Sequence, residues 1–194
     1  MVVVKGIKSL ISDLNSLSSQ DHGGMEKVVS QPVSLSSLSG QSSPSCVMFC
    51  DGGYIKANGS AAAGSVLISG SRSILDTSIS KIQAASTFVA EAMAVRNACL
   101  LRATRGLTGL IICSDSKVVI SLASSDLDPP WEVEAIIRDI REMASLLGFV
   151  FKFVPRSCNC IAHFFVKAAL RGLPFYNWVS SPPAKLRLLL DRLD

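Results

Sequence analysis

The sequence is short of the residues from which zinc and disulfide frameworks are built. Only two histidines occur in 194 residues, so the pair Cys158 and Cys160 in "CNC" does not read as part of a zinc site, which needs four regularly spaced His or Cys ligands. The six cysteines fall inside apolar runs or in that pair, without the spacing of an extracellular disulfide scaffold. No secretion leader is expected, because the opening Val2–Val4 run is interrupted at once by Lys5. These absences lead to the expectation of an intracellular protein with reduced thiols. Nucleus and cytosol stay open, since no dense basic cluster marks import. No run approaches the roughly 18 apolar residues that a membrane span needs, and the basic face of the C-terminal tail is too small to expect membrane attachment.

What is present is apolar content. Hydrophobic residues make up 48% of the chain, enough for the core of one domain with extensions. The net charge of +4 permits a nucleic-acid partner without requiring one. Residues 1–45 differ from the rest: "SLSSQDHGG" and "SQPVSLSSLSGQSSPS" are rich in serine, broken by Gly and Pro, and short of aromatics. Such a segment buries too little surface to offset the entropy of ordering. A short helix over Lys5–Leu17 is expected within an otherwise flexible arm, with the boundary near Pro44. The domain is expected over 46–172, and 173–194 forms a tail that docks on the domain or on a partner.

Within the domain the hydrophobic period changes in an informative order. "CVMFC" (46–50), "AAAGSVLIS" (61–69) and "RSILDTSIS" (72–80) read as strands. Turns at Asn58–Gly59 and Gly70–Ser71 join them into an antiparallel meander. The stretch 84–106 reads as a helix, with Phe88, Ala92, Val95, Cys99 and Arg102 on one stripe and Gly106 closing it. A strand over 107–115, a short helix over 116–124 capped by Ser114 or Ser116, a helix over 131–148, a strand over 149–155 and a helix over 159–172 follow. The order β-β-β-α-β-α-α-β-α implies an α/β fold, one mixed sheet covered by helices on its faces.

Three acids stand out against this pattern. Asp51 and Asp115 each follow an apolar strand, and if those strands are neighbours the two carboxylates meet at one sheet edge. Glu91 lies in the otherwise apolar or small run "TFVAEAMAV", where a carboxylate is costly unless paired, hydrated or metal-bound. Singly, each has a plain structural reading: Asp51 opens a turn, Asp115 sits at a helix N-terminus, and Glu91 faces solvent. Together they offer three hard oxygen ligands suited to Mg²⁺ or Mn²⁺, and their mutual repulsion is a cost that a cation removes.

With "CDGG" on the first strand, "AEAMAVRNACL" on the first helix, "CSDSKVVI" after the fourth strand and "VPRSCNCIAHFFVKAAL" at the end, the chain resembles the type 1 ribonuclease H domain. The likeness covers about residues 46–172 and is nearest to the plant reverse-transcriptase-like branch associated with retroelements. It implies a five-stranded mixed sheet with the first three strands antiparallel, and an RNA–DNA hybrid as partner, its RNA strand hydrolysed with two divalent ions. Asp51, Glu91 and Asp115 match the first three metal-binding and catalytic acids. The fourth position departs from the pattern: where the family has Asp after Asn-x-x-Ala, this chain has Asn159-Cys-Ile-Ala-His163. His163 then takes the fourth catalytic and metal-binding place, but neutral imidazole brings neither the charge nor the hard oxygen of a carboxylate. The histidine that many active members carry near Arg156 is missing as well. So is the basic, Trp-rich protrusion that some use to grip hybrid, and Pro129-Pro130-Trp131 stands in its place; Trp131 and Trp178 are read as packing residues.

Candidate nucleic-acid contacts are Gly52, Gly53, Asn58, Ser116, Arg156, Asn159 and Lys167, with Lys56, Lys152, Ser157 and Arg171 nearby in the pattern. A hybrid would be read by shape and 2′-hydroxyls rather than by base. The sequence thus leaves two functions for a protein expected to be a monomer. One is a metal-dependent RNA–DNA hybrid endoribonuclease impaired at His163. The other is a non-catalytic nucleic-acid-binding or interaction module.

Overall fold

The computed structural model describes residues 46–105, 110–173 and 177–193; the serine-rich arm with its expected helix, and Gly106, lie outside the described residues. The chain runs β1 (Cys46–Ile55), β2 (Ser60–Ser69), β3 (Ile74–Ile82), α1 (Thr87–Arg105), β4 (Ile111–Ser114), α2 (Lys117–Ala123), α3 (Glu134–Leu147), β5 (Val150–Phe153), α4 (Cys160–Leu170) and α5 (Ala184–Leu190). The first nine follow the order expected from the sequence, and α5 arises within the tail. The strands form one five-stranded mixed sheet in the order β3-β2-β1-β4-β5. β1 pairs antiparallel with β2, β2 antiparallel with β3, β1 parallel with β4, and β4 parallel with β5.

Local chemistry explains the turns. Between β1 and β2 the chain reverses at Gly59, whose φ of +69° is a conformation that side chains with a Cβ avoid. The Gly59 and Asn58 amides both donate to the Ile55 carbonyl, at 2.9 and 3.2 Å, and the Asn58 Oδ1 accepts the Ser60 amide at 3.0 Å. Between β2 and β3 the left-handed position is Arg72, at φ +64°. Its guanidinium donates to the Asp191 carbonyl just after α5, at 3.1 Å.

β1 is longer than the apolar run that announces it. It continues through Asp51, Gly52 and Gly53 to Ile55, so Asp51 sits inside the strand, paired with Gly64 of β2, rather than after its end. The two glycines do not begin a turn. A Cβ on Gly52 would lie 2.3 Å from the α1 backbone at Ala90 and Glu91, and one on Gly53 would lie 2.7 Å from Val166 and 2.8 Å from Leu170 of α4. Successive strand residues face opposite sides of a sheet, so the glycines let α1 approach one face of β1 and α4 the other.

These two helices bring different cores. α1 packs through small side chains, with Ala90, Ala92, Ala94 and Ala98 fully buried. On the α4 side, Ile161 and Phe165 join Val66, Ile68 and Ile74 of the sheet and Leu186 and Leu190 of α5 in one cluster. Burial of each large side chain there contributes about 1.5–3 kcal/mol. Trp178 lies against the rings of Phe164 and Phe165, with centroids 5.5 and 5.4 Å away. It is a packing residue, as expected. Trp131 is not: it stands 88% exposed on the turn before α3. No helix among the described residues is long and apolar enough to cross a membrane, and all six cysteines are free thiols.

Candidate metal and nucleic-acid site

The parallel register of β1 and β4 decides where the acids go. Phe49 pairs with Cys113, and two residues further along each chain segment stand Asp51, still inside β1, and Asp115, just past the end of β4. Glu91 enters from the first turns of α1, which the missing Cβ of Gly52 allows close to β1. One ligand oxygen from each of Asp51, Glu91 and Asp115 lies within 4.8 Å of the others. The three acids picked out separately in the sequence therefore form one cluster.

Each carboxylate is held by a specific donor. The Gly52 amide donates to Glu91 Oε2 at 3.1 Å. Asn159, fully buried at the start of α4, donates from Nδ2 to Asp115 Oδ1 at 2.6 Å and to the Cys50 carbonyl at 2.9 Å. His163, one turn further along α4, sets its Nδ1 3.0 Å from Asp51 Oδ2. Ser114 is also buried: its Oγ accepts the Ser116 amide at 3.1 Å, which fixes the chain where it leaves β4 and so fixes Asp115. The expected side-chain capping of α2 by Ser114 or Ser116 is not formed: the Ser116 side chain makes no capping bond, and Ser114 Oγ takes the amide of Ser116 itself rather than one from the first turn of the helix.

The electrostatics reflect crowded burial. Loss of solvent, followed by the negative charges of Asp51 and Asp115, pushes Glu91 up to about 8, with the Gly52 amide and Arg156 opposing. Loss of solvent also raises Asp51, to about 6, against the hydrogen bond from His163. Three carboxylates gathered at this cost are a donor set that could hold a divalent metal ion: each keeps one oxygen engaged by the protein and one without a protein partner among the described residues, and hard carboxylate oxygens suit hard cations.

The remaining sequence candidates divide sharply. Arg156 is exposed, and its positive charge lowers the pKa of both Asp51 and Glu91, so it borders the cluster. Lys167 and Arg171 are exposed on and after α4, Ser157 is exposed in the turn before it, and Lys56 and Asn58 are exposed on the β1–β2 turn. Lys152 of β5 is half-buried, as is Ser116. Asn159 is corrected from a phosphate donor to an internal clamp, because both hydrogen bonds of its Nδ2 are spent inside the protein. Gly52 likewise gives its amide to Glu91. Sequence reasoning named Ser114 only as a helix cap and missed the internal role of Asn159; only the polarity of these residues next to apolar elements signalled their part in the site.

Solved structures of the same architecture are numerous. The ribonuclease H1 of the halophilic archaeon Halobacterium salinarum is 25% identical, with a TM-score of 0.60, over 66% of this chain and 98% of that one. The N-terminal RNase H domain of a Mycobacterium tuberculosis protein, solved as a fusion with maltose-binding protein, is 24% identical with a TM-score of 0.58, over 66% of this chain and 94% of that one. A ribonuclease H1 isolated from compost by a metagenomic approach, solved with an RNA/DNA hybrid, is 20% identical with a TM-score of 0.58, over 66% of this chain and 97% of that one. Among curated proteins none matches in sequence. A family model described as reverse transcriptase-like matches residues 49–169, a span that includes all three acids and His163. By that match over more than half its length, and with an RNase H-like sheet beneath it, the chain belongs to the reverse transcriptase-like family.

Proposed function

We propose that this protein binds RNA–DNA hybrids through an RNase H-like domain, holds a divalent ion at Asp51, Glu91 and Asp115, and does not itself cut the RNA strand efficiently. The single observation that carries this reading is the side chain at the fourth corner of the cluster: His163, hydrogen-bonded to Asp51. Two-ion hydrolysis needs one ion for the attacking water and a second for the leaving oxygen, about 4 Å apart. Three carboxylates supply hard donors for one Mg²⁺ or Mn²⁺. When bound, that ion would neutralise the acids and attract a phosphate oxygen. The fourth place offers an imidazole, its Nδ1 engaged with Asp51, in place of a carboxylate, so the hard oxygen donors for a second ion are reduced.

The chain's own residues have defined parts in this proposal. Asp51, Glu91 and Asp115 bind the ion; Gly52, Asn159 and His163 orient them. Arg156 and Lys167, exposed near and along the start-to-end course of α4, meet the nucleic-acid backbone. Ser157, Asn58, Lys56 and Arg171 lie at greater remove along the same pattern. Hybrid as the ligand is supported by similar proteins solved with RNA/DNA hybrid. Placement in the plant retroelement-associated branch belongs to the same proposal and rests on the sequence motifs; action as a monomer and a nuclear or cytosolic setting belong to it as expectations from the sequence.

A second reading, residual hydrolysis of hybrid RNA, is favoured by one observation: all three acids remain within 4.8 Å of each other. One experiment separates the two. Labelled RNA–DNA hybrid is titrated with the full chain in Mg²⁺ and in Mn²⁺, and binding and cleavage are followed together. Saturable binding with cleavage no greater than that of the D115N variant supports the binding module. Cleavage that D115N abolishes establishes the hydrolase. Absence of binding overturns both.

A further inference from the structure

We propose that the segment from Asp126 to Glu132, which displays Trp131 just before α3, is a docking surface for a basic, aliphatic segment of a protein partner. Among the described residues Trp131 is the most exposed large hydrophobic side chain, at 88%, and Leu127 is exposed at 59%. A single exposed apolar residue is ordinary on a protein surface. Here the two are displayed on a turn that the protein holds still. Arg141 of α3 donates from Nε to the Leu122 carbonyl at 2.9 Å and from its Nη2 to the Leu127 carbonyl. The Val133 amide closes on the Pro130 carbonyl at 3.0 Å, and Val133 is itself fully buried. Pro129 and Pro130 restrict the backbone further. Presenting a tryptophan on rigid backbone lowers the entropy lost on association, and tryptophan is the residue most enriched at the energetic centres of interfaces.

The charge around it selects the partner. Asp126, Asp128 and Glu132 are exposed, and none of them forms an ion pair among the described residues. In a chain with a net charge of +4, this turn is a locally acidic, aromatic place. Phosphate would be repelled by it, which sets it apart from the nucleic-acid face around Arg156. A Lys or Arg side chain is attracted twice, by the carboxylates and by the indole face, while a neighbouring aliphatic side chain covers Leu127. The partner is therefore a protein segment carrying Lys or Arg beside an aliphatic residue.

The test uses a random peptide library displayed on phage and selected against the full chain. Recovered peptides are synthesised and titrated against wild type, Trp131→Ala, and the combined Asp126→Asn, Asp128→Asn and Glu132→Gln variant, with circular dichroism confirming that the folds match. The expected result is enrichment of Lys or Arg beside aliphatic residues, binding about tenfold weaker or worse in each variant, and loss of affinity as salt is raised. Peptides without basic bias, peptides whose affinity Trp131→Ala leaves unchanged, or failure to enrich any peptide overturn the proposal. A single-stranded RNA oligonucleotide is titrated in parallel. Binding of that RNA weakened by Trp131→Ala would make the surface a nucleic-acid contact and overturn it equally.

Discussion

The Nδ1 of His163 lies 3.0 Å from Oδ2 of Asp51, so the histidine reaches the cluster as a hydrogen-bond partner of a carboxylate. An aspartate at the same place on α4 would bring a fourth negative charge and a hard oxygen. His163→Asp is therefore expected to raise Mg²⁺-dependent cleavage of RNA–DNA hybrid by about tenfold or more over wild type. Adding Asp115→Asn should remove the gain. A labelled-hybrid assay with an RNA–RNA duplex as control measures it. Wild-type cleavage equal to that of His163→Asp would show that the fourth carboxylate is not what the site lacks.

Metal binding is predicted from the donor set alone. Mg²⁺ and Mn²⁺ should each bind at the cluster, Mn²⁺ more tightly because Mg²⁺ gives up its waters reluctantly. Asp51→Asn should weaken both by about tenfold or more, since it removes one of three charges. Isothermal calorimetry on the two proteins decides this. Equal affinity in wild type and Asp51→Asn would place the ion elsewhere.

The same crowding gives a pH dependence. Burial and neighbouring charge hold Glu91 at about 8 instead of the usual 4.5 and Asp51 at about 6 instead of 3.8. Both groups bind protons more tightly folded than unfolded, so the folded state carries the extra protons between those values. Their contribution to stability must then decline as pH rises through about 4 to 8. Thermal melts of metal-free protein should show a lower Tm near pH 8 than near pH 5.5. Glu91→Gln should flatten most of that slope, and added Mg²⁺ should recover stability at the higher pH. A wild-type slope no steeper than that of Glu91→Gln would mean that Glu91 is not the strained group.

Much of this site was legible because strand adjacency follows from element order. The apolar runs at 46–50 and 107–115 read as strands, and once β1 and β4 are neighbours, Asp51 and Asp115 must meet. Glu91 was legible by its cost: an acid in an alanine-rich helix demands a reason. Asn159 was not, because a polar residue at a helix start reads as exposed, and only the packed structure shows its amide bridging Cys50 and Asp115. Trp131 failed in the opposite direction. Its apolar bulk suggests packing, but Val133 takes the buried place at that turn and leaves the indole outside. The tail was legible only as a segment expected to dock on the domain or on a partner, while the seat of α5 against Phe165 depends on tertiary contacts that periodicity does not encode.

The pair Gly52–Gly53 was the subtlest case, and it yields the last prediction. Adjacent glycines suggest a turn, but in the fold they mark two faces of β1 where helices come close. A Cβ at Gly52 would lie 2.3 Å from both the Ala90 carbonyl carbon and the Glu91 amide nitrogen. These are backbone atoms, so α1 as a whole must shift to admit a methyl group, and Glu91 moves with it. Gly59 poses a different problem: its φ is +69°, but nothing lies within 4 Å of the added carbon. Gly59→Ala therefore meets only the conformational penalty of the left-handed region, about 1–2 kcal/mol. Gly52→Ala adds overpacking against rigid backbone, which typically costs about 1–3 kcal/mol and sometimes more, and it also displaces a metal ligand. Urea unfolding should rank Gly52→Ala as the less stable protein, and calorimetry should find weakened Mn²⁺ binding in Gly52→Ala but unchanged binding in Gly59→Ala. Equal metal affinity in both would mean that α1 absorbs the methyl group without moving Glu91, and that the close approach at Gly52 is not what sets the cluster.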